Sequence, residues 1–214
     1  MHKLRAELPP LPPRMARLPI DERGYPVPFF VQWFDGKPDF RVADSTKIGL
    51  CYRLRLCWIC GEKLGAFMSF VIGPVGAVNH TNSEPPSHLD CAMWAVRGCP
   101  FMARPKMERR EDDLTEHCKK EVAGWMSERN PGVMAVWTTR TYRGIDDGRG
   151  RLLFKVGDPA QVTWHREGRL ATRAECEESL DGGMPELMAL CRSDKERAEQ
   201  EANYRQLKKL FPTK

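Results

Sequence analysis

Four residues in two short strings constrain this chain more than any other feature: Cys57 and Cys60 in "CWICGEKLG", and His88 and Cys91 in "SHLDCA". Each pair is spaced three apart. For His88 and Cys91, at the start of an expected helix, that spacing places both side chains on one side of the first turn, because positions i and i+3 share a face; Cys57 and Cys60 read as a turn. The full pattern, Cys-x2-Cys-x27-His-x2-Cys, offers three sulfurs and one imidazole. Zn²⁺ takes such a set tetrahedrally, and a site closed by four protein ligands is normally structural. Gly61 relieves crowding just after the second cysteine, and the helix dipole favours a deprotonated Cys91. Two substitutes for a ligand stay open. His80 can replace His88, whereas Cys99, about 12 Å along the helix from Cys91, needs a chain reversal to reach the metal. The competing reading is a buried pair of free cysteines beside a helix-capping histidine, and four donors at matching offsets weigh against it.

Cysteine usage supports a metal over disulfides. The opening "MHKLRAELPPLPPR" has no apolar core of a secretory signal, and the longest uncharged apolar run, "AFMSFVIGPVGAV", is short and broken by Gly-Pro. A cytoplasmic, reducing environment and no membrane contact are therefore expected, and clustered cysteines then read as ligands. Cys118, Cys176 and Cys191 stand alone in helical patterns and are expected as small core residues.

At 214 residues the chain suits one compact core with appendages. Residues 1–27, with "LPPLPPR" and "GYPVP", read as a proline-rich arm that is laid on the surface or mobile. Residues 28–105 form the zinc-binding module. It opens with a hairpin turned at Asp35-Gly36, followed by a short helix from Ser45 as cap and a strand at 66–73. A turn-rich stretch leads to a helix capped by Ser87 and stopped by Gly98. Residues 106–192 form an extension. It carries a helix over 111–130, a β-hairpin over 132–157 folded around "IDDGRG", a further strand, and a helix from the Thr172/Glu175 capping box that Gly182-Gly183 ends. Residues 193–214 form a charged C-terminal helix that projects or packs on a partner and can serve as an oligomer contact. The fold class is α+β, small antiparallel sheets with helices packed around the metal module.

A cysteine turn, a hairpin and two ligands from a helix's first turn resemble treble-clef zinc modules, over residues 55–98. The strings "GYPVPFFVQW", "DGKPDFRV", "LCWICGEKLG", "EPPSHLDCAMWA", "CPFM" and "NPGVMAVW" resemble uncharacterised proteins encoded by bacteriophages and prophages, over roughly residues 24–180. That resemblance implies a host-cell context and brings no activity with it.

Three functions compete. The first is nucleic-acid binding. The net charge is +5, and Arg140, Arg143, Arg149 and Arg151 mix with Tyr142 on one hairpin, where cations suit phosphates and an aromatic ring suits a base. Strand alternation already divides these residues between two faces. The second is a regulatory module that engages a host protein through the arm or the C-terminal helix. The third is a metal-dependent nuclease with His80 as base and Asn79 or Asn82 to orient it. The second metal ligand that such an enzyme needs is missing from "NHTNSEPPSH" once His88 is used. A zinc deaminase is excluded, because "HLDC" has Asp where glutamate is required and no P-C-x-x-C follows.

Overall fold

The structure is a computed structural model that describes residues 2–103 and 131–213. The expected helix at 111–130 and the basic string "RPKMERR" from residue 104 lie outside the described residues. The rest is an α+β fold of short helices and three antiparallel sheets.

Two left-handed residues, Asp35 and Gly36, close the first hairpin, β1 (Val31–Phe34) with β2 (Lys37–Ala43). Helix α1 (Ser45–Leu54) follows. Its cap is Asp44, not Ser45: the Asp44 carboxylate accepts the Thr46 N–H, and Ser45 is already helical. Strand β3 (Met68–Ile72) leads into a segment expected to be turns alone. Its Pro-Val-Gly-Ala-Val-Asn string instead forms a short helix, α2 (Pro74–Asn79), because Pro74 stands at the first turn, where its missing N–H costs nothing. Strand β4 (Thr81–Asn82) and helix α3 (Leu89–Gly98) come next, then the single turn α4 (Pro100–Ala103).

The stretch 132–157 is not one hairpin. Strand β5 (Met134–Thr139) pairs with β3 on one side and β8 (Pro159–Arg166) on the other, and β9 (Arg169–Leu170) completes a four-stranded sheet. The hairpin around "IDDGRG" comprises β6 (Tyr142–Asp146) and β7 (Leu152–Val156), joined by β4 in a second sheet. The chain breaks between Thr139 and Tyr142 because β5 is buried on both faces and belongs in the centre. Phe70, Ile72, Ala135, Trp137 and Trp164 face the main core, and Val136 faces α3 with Ala92 and Val96. Burial of β5 on both faces stabilises this layer, at about 25 cal/mol per Å² of apolar surface removed from water.

Helix α5 (Arg173–Leu190) starts at the expected Thr172/Glu175 capping box, but it runs through Gly182-Gly183 and past Pro185. Gly183 serves packing rather than termination: a Cβ there would clash with Val75 Cγ2 of α2. Helix α6 (Asp194–Leu207), capped by Ser193, does not project. Leu207 and Phe211 are buried in the main core, Trp164 meets Phe211 edge-on at 5.0 Å, and the Tyr204 hydroxyl donates to Asp181. The proline-rich arm is likewise laid down: Met15 is fully buried, Leu8, Leu11 and Leu18 pack beside it, and Trp94 Nε1–H donates to the Pro9 carbonyl. Among the described residues no helix is long and apolar enough to cross a membrane.

Candidate metal centre

The cysteine turn is a tight loop fastened at both ends. Gly61 N–H donates to the Cys57 carbonyl, Cys57 N–H donates to the Glu62 carbonyl, and Leu56 and Lys63 form a bridge pair. Gly61 sits at φ +75°, and a Cβ there would lie 2.9 Å from the Phe29 ring. Both facts require glycine. Opposite the loop, Ser69 and Ser87 exchange two backbone hydrogen bonds, which tie β3 to the residue just before the cap of α3. This single bridge is what remains of the hairpin expected between turn and helix. It also removes Ser87 as helix cap, and His88 takes that position.

The outcome is a cluster. One potential donor atom from each of Cys57, Cys60, His88 and Cys91 lies within 4.8 Å of the others, and all four residues are buried. A tetrahedral ion with bonds of about 2.0–2.3 Å holds its ligands roughly 3.5–3.8 Å apart. The Cys60 Sγ to His88 Nδ1 separation, 3.4 Å, agrees with that spacing. The imidazole is set for coordination by its far side: Nε2 lies 3.1 Å from the Lys63 carbonyl, which can only accept, so Nε2 carries the proton and Nδ1 presents a lone pair. Neither His80 nor Cys99 belongs to the cluster, and among the described residues it is the one group of three or more Cys, His, Asp or Glu able to hold a metal ion.

The electrostatics favour a different sulfur from the one expected. Cys57, not Cys91, is the thiol held far below its ordinary value, by hydrogen bonds from Cys60 and Cys91 and by His88. The backbone N–H groups of Cys60 and His88 both point at its sulfur, each at 3.4 Å. The positive end of α3 therefore acts on Cys57, while the Cys91 N–H is taken by Asp90 Oδ1. Contact with the Cys57 sulfur pushes Cys60 up to about 11 and raises Cys91 as well. Three such thiols want a cation among them.

Around the cluster, the arm closes one side. Arg14 lies 3.4 Å from Glu62 and 3.5 Å from Asp90, and Arg17 lies 2.9 Å from Glu62. Beside His88 runs an open cleft of about 690 Å³, floored by Leu64 and edged by Lys63, Phe67, Leu89 and Asp90.

The five residues expected to contact nucleic acid are not gathered into one surface. Tyr142 is a packing residue, edge-on to Tyr52, Phe70 and Phe154, and burial raises its hydroxyl pKa. Arg151 is tied to Asp147 at 3.2 Å. Arg143, opposite Lys155, and Arg149, at the hairpin turn, are exposed. Arg140 lies in the turn between β5 and β6, its guanidinium 4.6 Å above the Phe67 ring. Phe67 was hidden in the sequence as part of an apolar strand, yet it precedes β3 and is 47% exposed. His80 caps α2 in a left-handed conformation and meets Trp137 edge-on, while the Asn79 side chain is used by Thr81. Among the remaining cysteines, Cys176 is buried in the main core, Cys191 is half-buried with its thiol on the Leu187 carbonyl, and Cys118 lies outside the described residues.

Comparisons with protein-family models, with curated proteins and with solved structures each return no match.

Proposed function

We propose that the protein is a zinc-stabilised binding protein that contacts nucleic acid. One observation carries the metal half: four buried donors from two distant segments converge, with the imidazole fixed by the Lys63 carbonyl. Three thiolates and an imidazole select zinc over the harder cations. Because all four positions come from the protein, the ion is structural, and it fastens the cysteine turn to α3. Chelation should then loosen the region that Met15, Trp94 and the arm pack against.

Support for the nucleic-acid half is electrostatic. The net charge is +5, and Arg143 and Arg149 are exposed and make no ion pair among the described residues. Such groups suit phosphates without specifying sequence. Filter retention of labelled DNA and RNA across a salt series tests it: retention that weakens as salt rises is expected, and no retention at low salt contradicts it. A protein partner in a phage-infected host is the second reading, favoured by Trp33 and Phe34, which stand exposed at the tip of the β1–β2 hairpin.

A further inference from the structure

The hairpin offers phosphate contacts but no ring for a base, since Tyr142 is committed to the core. A ring is available elsewhere. Phe67 stands at the end of the cysteine-turn loop, 47% exposed, and lines the cleft beside His88. Arg140 covers part of it at 4.6 Å, so a guanidinium with five donors is held at the rim of an aromatic surface. Lys63 is exposed on the same cleft, and neither Lys63 nor Arg140 makes an ion pair among the described residues. Leu64 and Leu89 supply apolar wall.

We infer that this cleft is where a single-stranded nucleic acid docks, one base stacking on Phe67 and its neighbouring phosphates meeting Arg140 and Lys63. The inference rests on the nucleic-acid reading above. Its chemistry favours a single strand, because a base must leave a duplex stack to lie on a side chain. An acidic peptide could satisfy the two cations, but its carboxylates gain nothing from the exposed ring. Phe67 stays outside the core, so its removal leaves the fold intact. His88, one of the four clustered donors, lines the same cleft as Phe67.

The test is fluorescence anisotropy with zinc-loaded full-length protein and labelled oligothymidylate, against a duplex of equal length, from about 50 to 200 mM salt. Phe67→Ala should weaken single-strand binding roughly tenfold to a hundredfold and leave the salt slope unchanged. Lys63→Ala and Arg140→Ala should each weaken binding and lower the slope by about one. Unchanged zinc content and melting temperature in Phe67→Ala confirm that folding is intact. Three outcomes overturn the cleft assignment. In the first, Phe67→Ala binds like the parent while Arg149→Ala binds poorly, which leaves the hairpin reading standing. In the second, duplex binds as tightly as single strand. In the third, neither nucleic acid binds while polyglutamate does, which removes the nucleic-acid reading as well.

Discussion

Replacing Gly61 by alanine probes the cysteine turn at its tightest point. The residue sits at φ +75°, where an L side chain costs about 1–2 kcal/mol. The added Cβ would also lie 2.9 Å from Phe29 Cδ2 and 3.0 Å from Cγ, so the ring must move, at roughly 1–2 kcal/mol more for a half-buried, crowded site. The two parts sum to about 2–4 kcal/mol. They are separable. In a Phe29→Ala background the ring is gone, and Gly61→Ala should cost only the backbone part, a coupling of roughly 1–2 kcal/mol. Urea unfolding of the zinc-loaded protein, with the four variants of the cycle, measures both. The reasoning is refuted if Gly61→Ala costs less than about 0.5 kcal/mol, or if its cost is the same with and without Phe29.

Other consequences follow from groups away from the metal. Burial, and secondarily Arg97, lower the His165 pKa to about 4, so the folded protein keeps it neutral while the unfolded chain protonates near its ordinary value. Its contribution is therefore full above about pH 6.5 and is lost as pH falls towards 4, by at most about 3 kcal/mol. Metal release overlaps this window, so the readout is the difference in unfolding free energy between parent and His165→Gln, which should be constant above about pH 6.5 and shift against the parent as pH falls towards 4. Phe211→Ala should cost about 3 kcal/mol by calorimetry, since the ring is buried against Trp164; a change under 1 kcal/mol would mean that the C-terminal segment is not docked. Thr172→Ala should cost about 1 kcal/mol, because Thr172 and Glu175 cap α5 reciprocally.

Local signals were readable in the chain, and those that depend on distant neighbours were not. Asp35-Gly36, the Thr172 capping box and the Ser193 cap each act within four residues, so their patterns survive folding unchanged. The four clustered Cys and His residues were legible as candidate metal donors for the same reason: each pair is a local motif, and only their meeting is nonlocal. Sheet membership was not legible at β5. Its residues read equally well as one arm of a hairpin with β6, and only pairing with β3 and β8 decides otherwise. Gly183 looked like a helix stop because its partner, Val75, lies more than a hundred positions away. Ser87 is a good cap by type, but its backbone is engaged by Ser69. The burial of Phe67 and Tyr142 was not legible for a similar reason: Phe67 is 47% exposed, whereas Tyr142 packs edge-on among Tyr52, Phe70 and Phe154. An aromatic residue beside a strand and one within a hairpin look alike in sequence, and burial depends on which sheet lies opposite.

X-ray absorption at the zinc edge, on protein carrying the metal it acquires during expression, reads the convergence of the two cysteine-bearing segments directly. A shell of three sulfurs at about 2.3 Å and one nitrogen at about 2.0 Å is the predicted result. A stoichiometric zinc bound only by nitrogen and oxygen, or the absence of a zinc signal, would contradict it.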